Sequence, residues 1–400
     1  MKHICAALLM LAMAEAGAQT APAMPGGVAP AMPGGVAPAM PGGVAAALPG
    51  GVTPAIPGGV APAMTPTPAT YPAPRRGEWV ARDFRFHTGE TMPELRLRFA
   101  TIGEPTGEPV LILHGTAGSA NSMLTPAFAG QLFGPGQPLD AARYFIILPD
   151  ALGAGGSARP SEGLRAAFPR YNYADMVAAQ HRLVTEGLGL RRLRLVLGNS
   201  MGGMHAWLWA TTYPDMMDAV VPMASQPSGM ASRNWMLRRL MIETIRQDPA
   251  YAGGAYTAQP PSLRLANVFY ATATNGGTLA TQMQAPNRAA ADALLDARLA
   301  APLAADANDF IWQWDSSRDY DPAPALGRIR AAVLAINAAD DERNPPETGL
   351  MQAAIATIPG ARLLMIAATP ETRGPGTTGN AVFWAEALRG FLGEVPRPSN

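Results

Sequence analysis

From residue 79 onward, short strand-like runs recur at Trp79–Phe86, Leu95–Phe99, Val110–Leu113, Phe145–Leu148, Leu193–Leu197, Ala219–Pro222, Val333–Ile336 and Leu363–Ile366. Each has the length of a strand and is bounded by turn residues, which predicts eight β-strands. Between several of them the period changes to that of a helix. The clearest case is Tyr173–Glu186, where Met176, Gln180 and Leu183 share one face with Val177 and Val184 beside it, and Gly187 follows as a stop. Continuous apolar strands alternating with amphipathic helices predict a mostly parallel sheet covered on both faces. Between Pro222 and Ala325 the alternation fails. Helical segments, prolines and Gly-rich turns there predict a helical cap, at about 225–325, inserted over the carboxyl edge of the sheet.

The chain ahead of residue 75 has a different character. Lys2, the apolar run Ile4–Ala14 and the Ala16-Gly17-Ala18 triplet form the pattern of a secretory signal, so residues 1–18 are expected to be removed on export to the periplasm or medium. That run is too short to cross a bilayer of about 30 Å, and no membrane span is expected. Residues 21–60 are five copies of an octapeptide, the first three reading Ala-Pro-Ala-Met-Pro-Gly-Gly-Val, and no charge occurs from Ala16 to Pro74. Proline blocks helix propagation and paired glycines oppose ordering, so 19–74 reads as a disordered linker ahead of a domain at 75–395.

Composition removes several function classes. Of the 400 residues 48% are hydrophobic, enough for a large core, while Lys+Arg and Asp+Glu balance at 30 each. Nucleic-acid binding leans on a basic surface, so a small neutral or mixed molecule is the expected partner. Cys5, the only cysteine, lies within the predicted signal, which leaves no disulfide, thiol nucleophile or Cys-bound metal in a processed chain. The histidines show no paired metal-ligand spacing, and no Gly-rich dinucleotide fingerprint follows the first strands, so no cofactor or metal is expected. The oligomeric state stays open, a homodimer being one option.

One turn carries the chemistry. Leu193–Leu197 runs into Gly198-Asn199-Ser200-Met201-Gly202-Gly203, and Met204–Thr212 then reads as a helix. A G-x-S-x-G turn between strand and helix exposes its serine hydroxyl and points a helix N-terminus at a developing oxyanion, which makes Ser200 the candidate nucleophile. The loop Leu113-His114-Gly115-Thr116-Ala117-Gly118 follows the third predicted run. In an elbow of this kind one oxyanion N–H comes from that loop and one from the residue after the nucleophile, selecting the amides of Thr116 and Met201. His114 reads as a buttress of the loop.

These features have a family likeness. Phe168-Pro169-Arg170, Asp175-Met176-Val177, Gln180 and Leu183, followed by Gly198–Gly203 and Met204, resemble the homoserine O-acetyltransferase branch of the α/β hydrolases. Leu152-Gly153, Gly156-Ser157, Tyr213-Pro214, Asp248-Pro249, Gly253 and Tyr256 extend the resemblance over most of residues 80–390. It implies an α/β-hydrolase fold, a Ser-Asp-His triad, acyl-enzyme chemistry and a pocket bordered by the Gly153–Ser157 loop. An exported enzyme would lack acetyl-CoA, so the expectation is a relative that hydrolyses an ester or similar small acyl compound with water as acceptor. An inactive relative that binds a small acyl ligand and an acyl-CoA-dependent acyltransferase are the alternatives.

In this fold the acid follows a late strand and the histidine follows the last one. Val333–Ile336 runs into Asn337-Ala338-Ala339-Asp340-Asp341-Glu342-Arg343-Asn344-Pro345, and the family's Asp-to-Pro spacing selects Asp341, with Asp340 as the alternative. After Leu363–Ile366, related sequences place the histidine between two glycines. Here Pro375 stands between Gly374 and Gly376. The five histidines are His3, His87, His114, His181 and His205, and only His205 follows Ser200. Five residues along a helix turn it about 140° from the serine, so it is expected to pack against the sheet. Glu371 is a remaining proton acceptor in the loop. Loss of a triad histidine lowers turnover by roughly 10⁶ and leaves about 10³–10⁴ over water, so the activity is expected to be impaired.

Overall fold

The computed structural model describes residues 71–397 apart from Asn275. The predicted signal and the octapeptide linker up to residue 70 lie outside the described residues. The described residues belong to the compact unit Ala55–Asn400. Its strands are β1 (Arg75–Arg85), β2 (Thr91–Ile102), β3 (Glu108–Leu113), β4 (Tyr144–Pro149), β5 (Leu193–Asn199), β6 (Met217–Met223), β7 (Ala332–Ala338) and β8 (Arg362–Ile366). They form one sheet in the order β1-β2-β4-β3-β5-β6-β7-β8. β1–β2 and β2–β4 are antiparallel and every other pair is parallel.

The helices are α1 (Ala129–Leu132), α2 (Tyr173–Arg182), α3 (Met201–Thr212), α4 (Ser232–Arg246), α5 (Pro261–Ala273), α6 (Thr278–Gln284), α7 (Arg288–Ala300), α8 (Ala307–Asp315), α9 (Leu350–Ala356) and α10 (Ala385–Glu394). Central strands are mostly apolar because both faces are covered. Leu195 and Leu197 of β5 point to one side, with Trp384, Leu388 and Phe391 around α10, while Val196 points to the other, with Trp207 and Trp209 of α3. Each such burial contributes about 1.5–3 kcal/mol. α4–α8 come between β6 and β7 and form the insertion, in which α4 packs on α5 and α8. Among the described residues, no helix is long and apolar enough to cross a membrane.

Three details depart from the simple sequence pattern. α2 starts at a capping box, where the Asn172 side chain accepts from Asp175 N and Asp175 accepts from Asn172 N. Its α-turns end at Arg182, however, and Leu183–Gly187 continues as a π-turn with Leu188 N bonded to Leu183 O at 2.9 Å. A Cβ at Gly187 would stand 3.0 Å from the Trp79 ring of β1, so glycine serves close packing there as well as the stop. Tyr71, placed in the linker by its sequence, meets the Phe133 ring edge-on at 5.6 Å. At the other end Arg194 of β5, 3% exposed, donates to the carbonyls of Leu392, Val395 and Pro396 and fastens the end of α10.

Candidate active site

β5 runs straight into α3 through Ser200, whose φ of 56° and ψ of −112° put a non-glycine residue in a strained conformation. The turn is held from β6, since Ser200 N donates to Met223 O at 2.9 Å. A Cβ at Gly198 would lie 1.9 Å from Gly202 O, and one at Gly202 would lie 2.1 Å from Leu113 O. Both glycines are therefore required by backbone contact, which is what the G-x-S-x-G pattern encodes.

The loop after β3 lies against this turn. A Cβ at Gly115 would be 3.4 Å from Ser200 Cβ and 4.0 Å from its Oγ. His114 is buried beneath the loop. Its Nε2 accepts from Ala151 N at 2.9 Å, which assigns the proton to Nδ1, and Nδ1 then donates to Gly115 O at 2.8 Å. Burial lowers its pKa, so the ring is neutral and acts as a tie between the loops after β3 and β4. Asp150 adds a second tie by accepting from Ala120 N at 2.7 Å and Gly156 N at 2.8 Å. The cap reaches the same loop through Gln313, whose Oε1 accepts from Ala117 N at 3.0 Å. Among the described residues, neither the Thr116 amide nor the Met201 amide donates a backbone hydrogen bond.

The two acidic candidates have different surroundings. Asp341 is 1% exposed. Its Oδ1 accepts from Arg343 N at 2.8 Å and Asn344 N at 3.3 Å, and its Oδ2 from Asn344 Nδ2 at 2.9 Å. Burial raises its pKa against the opposing pull of those bonds. Asp340 instead turns to the last loop, accepting from Thr372 Oγ1 at 2.6 Å, and its Oδ1 is buried without a partner. The carboxylate in contact with the loop of residue 375 is thus Asp340.

That loop docks on the elbow. Thr378 Oγ1 donates to Asn199 Oδ1 at 2.5 Å, and Trp384 Nε1 fixes the Thr378 carbonyl at 3.0 Å. Pro375 is buried and offers only its carbonyl, which accepts from Thr378 Oγ1 at 3.2 Å. Glu371 is exposed.

The described histidines all have other engagements. His205 faces α2 instead of the sheet, a correction to the sequence expectation. Gln180 Nε2 donates to its Nδ1 at 3.2 Å, and Tyr173 meets its ring edge-on at 4.7 Å. The reason is the position of α3, which has the sheet on one side and α2 on another. Burial first, then His114, pushes the His205 pKa down to about 3. His181 stacks on Tyr213 at 3.9 Å, and His87 Nδ1 lies 2.6 Å from Asp175 Oδ2. Gln313 and Arg238, both buried in the inserted helices, were not singled out by sequence. The available signal was Arg238, which falls on the buried stripe of α4 with Met241, Ile242 and Ile245. Among the described residues, no group of three His, Cys, Asp or Glu side chains is gathered to hold a metal.

A model of the α/β hydrolase fold family matches residues 108–369. A probable acyltransferase of Methanothermobacter thermautotrophicus is 30% identical over 311 residues, which are 75% of this chain and 89% of that protein. A homoserine O-acetyltransferase of Thermobifida fusca is 32% identical over 231 residues, 51% of this chain and 60% of the enzyme. The solved acetylester hydrolase of Corynebacterium glutamicum superposes with a TM-score of 0.68 at 20% identity, covering 80% of this chain and 96% of that one, a likeness of fold.

Proposed function

We propose that this chain, which belongs to the α/β-hydrolase fold family in its homoserine O-acetyltransferase-like branch, carries out slow acyl-ester hydrolysis at Ser200. The observation that carries the reading is the Ser200 turn, strained at φ 56° and set against Gly115, with the Thr116 and Met201 amides unpaired beside it. Ser200 Oγ attacks the acyl carbonyl, and the two amides receive the oxyanion. The ester C–O bond breaks, the leaving oxygen takes the serine proton through water, and a second water hydrolyses the acyl-serine to the free acid. Asp341, or Asp340 in its place, is the acid of the arrangement. It has no imidazole to orient, because Pro375 stands in the histidine slot. The relatives support acyl chemistry, one being a probable acyltransferase and another a homoserine O-acetyltransferase. Water is the acceptor in this reading because the N-terminal pattern predicts export, away from acyl-CoA.

A second reading is a binding protein that never turns its acyl ligand over. It is favoured by the saturation of Asp341, whose oxygens are taken up by Arg343 N, Asn344 N and Asn344 Nδ2. Fluorophosphonate labelling with p-nitrophenyl acetate turnover separates the two. Labelling confined to Ser200, with slow turnover that Ser200→Ala abolishes, supports the hydrolase. No labelling of the unmodified chain or of Pro375→His overturns it.

A further inference from the structure

The loop after β3 is tied to the core at both ends, but its tip is held from the inserted helices. His114 Nδ1 donates to Gly115 O at one end, and Asp150 accepts from Ala120 N at the other. Between them Gly118 N closes the turn onto Gly115 O at 3.0 Å. The tip is Thr116–Ala117. The Thr116 hydroxyl is buried without a partner, so no side-chain bond of Thr116 fixes the direction of its own amide. Among the described residues, the one side chain bonded to this tip is Gln313 of α8, whose Oε1 accepts from Ala117 N at 3.0 Å.

That bond is made at a strained residue. Ala117 has φ 59°, in the left-handed region where a Cβ crowds the following carbonyl. A residue other than glycine stays there when its surroundings impose it, and the cost is of the same size as the net return from one hydrogen bond. Without the Gln313 acceptor the strain is no longer offset. Ala117 is exposed, so water takes up the freed N–H, but water does not hold a turn in one conformation. As Ala117 relaxes, the Thr116–Ala117 peptide turns and carries the Thr116 amide with it.

Gln313 is planted on a helix fixed from several sides. Asp309 accepts from Ser161 N at 2.8 Å and from Ser161 Oγ at 2.6 Å, Trp312 Nε1 donates to Phe168 O at 3.1 Å, and Tyr173 N donates to Ser316 O at 3.0 Å. The Gln313 side chain is 5% exposed among apolar neighbours on α8, where a buried amide needs a partner. The bond to Ala117 is the one that its side chain makes among the described residues.

We infer that Gln313 is a positioning residue for acyl transfer: from α8 it holds Ala117 in its left-handed turn and so keeps the Thr116 amide aimed at the oxyanion formed on Ser200. The inference rests on the acyl-ester reading of Ser200. It makes the oxyanion site a joint product of the core and the inserted helices. A misplacement of about 1 Å at such a site costs about 10² in rate.

The test is fluorophosphonate labelling of Ser200 in the full chain over a range of probe concentrations, which separates the maximal labelling rate from the half-saturating concentration. Gln313→Leu is expected to lower the maximal rate by about 10² and to leave the half-saturating concentration unchanged, because the amide acts in the transition state. Gln313→Glu keeps an acceptor oxygen and should retain most of the rate. Adding Ala117→Gly to Gln313→Leu should recover about tenfold or more, since glycine adopts positive φ without the anchor. Circular dichroism and melting temperature should match the unmodified chain, and Gln313→Met stands in if the leucine variant does not fold. An unchanged maximal rate in Gln313→Leu overturns the inference. So does a fall that Ala117→Gly leaves uncorrected, since Gln313 then serves only the packing of α8. If neither the unmodified chain nor Pro375→His is labelled, the hydrolase reading falls and this inference with it. Labelling that is indifferent to Gln313 removes the inference alone.

Discussion

The hydroxyl of Thr378 donates to the side chain of Asn199 at 2.5 Å, and Asn199 is the residue immediately before Ser200. The loop that carries Pro375 is therefore anchored to the elbow itself, three residues from the position where a triad would place its imidazole. Pro375→His is expected to raise p-nitrophenyl acetate turnover by about 10²–10⁴, the range general-base catalysis supplies. The gain should appear as pH rises through about 6.5, where an imidazole loses its proton, and Ser200→Ala should remove it. Stopped-flow burst amplitude against pH measures both.

The anchor itself can be cut. Thr378→Val removes the donor to Asn199 and leaves a part-buried acceptor unpaired, a loss of about 1–2 kcal/mol. Urea unfolding should show that loss, and in Thr378→Val combined with Pro375→His the restored turnover should fall, because the imidazole is no longer held at the elbow.

Glycine substitutions divide by what a Cβ would meet. Gly198→Ala puts a methyl 1.9 Å from Gly202 O, in the rigid elbow, and is expected to lower stability by more than about 3 kcal/mol or to prevent folding. Gly390→Ala, inside α10 with open space at the Cβ position, should raise stability by about 0.5–1 kcal/mol. Melting temperatures of the two variants check the contrast.

His205 makes stability depend on acidity. Its pKa is about 3 in the folded chain against about 6.5 in an unfolded one, so the unfolded chain binds more protons between those values. The neutral ring's contribution is complete above about 6.5 and is lost progressively as pH falls toward 3. The slope is at most about 1.4 kcal/mol per pH unit for this group. Urea unfolding from pH 7 to pH 4.5 should show stability falling, and His205→Gln should flatten the curve by that slope. An unchanged slope in the variant would assign the acid sensitivity to other groups.

The parts legible in sequence are those where backbone and burial allow few solutions. Leu193–Leu197 reads as a strand because both its faces are buried, and Gly198 and Gly202 mark the turn because no side chain fits. The alternation of strands and helices was enough for the mostly parallel sheet. Side-chain direction is a different matter. Asp340 and Asp341 are adjacent, and only the fold of the last loop decides that Thr372 meets the first while Asn344 encloses the second. The π-turn at Leu183–Gly187 lies against Trp79, a contact about a hundred residues distant in the chain. His205 was expected against the sheet because one helix was considered alone, whereas α3 has α2 as a neighbour on its other side.

Proline and histidine are neighbours in the genetic code: the codons CCU and CCC differ from CAU and CAC by one base. A CCU or CCC codon at position 375 is a single transversion from an imidazole. Gly374 and Gly376 already flank the place, Thr378 already ties the loop to Asn199, and Ser200 already holds its strained turn. With such a codon, and with the hydrolysis proposed above, one point mutation would supply the base, and a screen on an ester as sole carbon source would select that change without altering anything else in the domain.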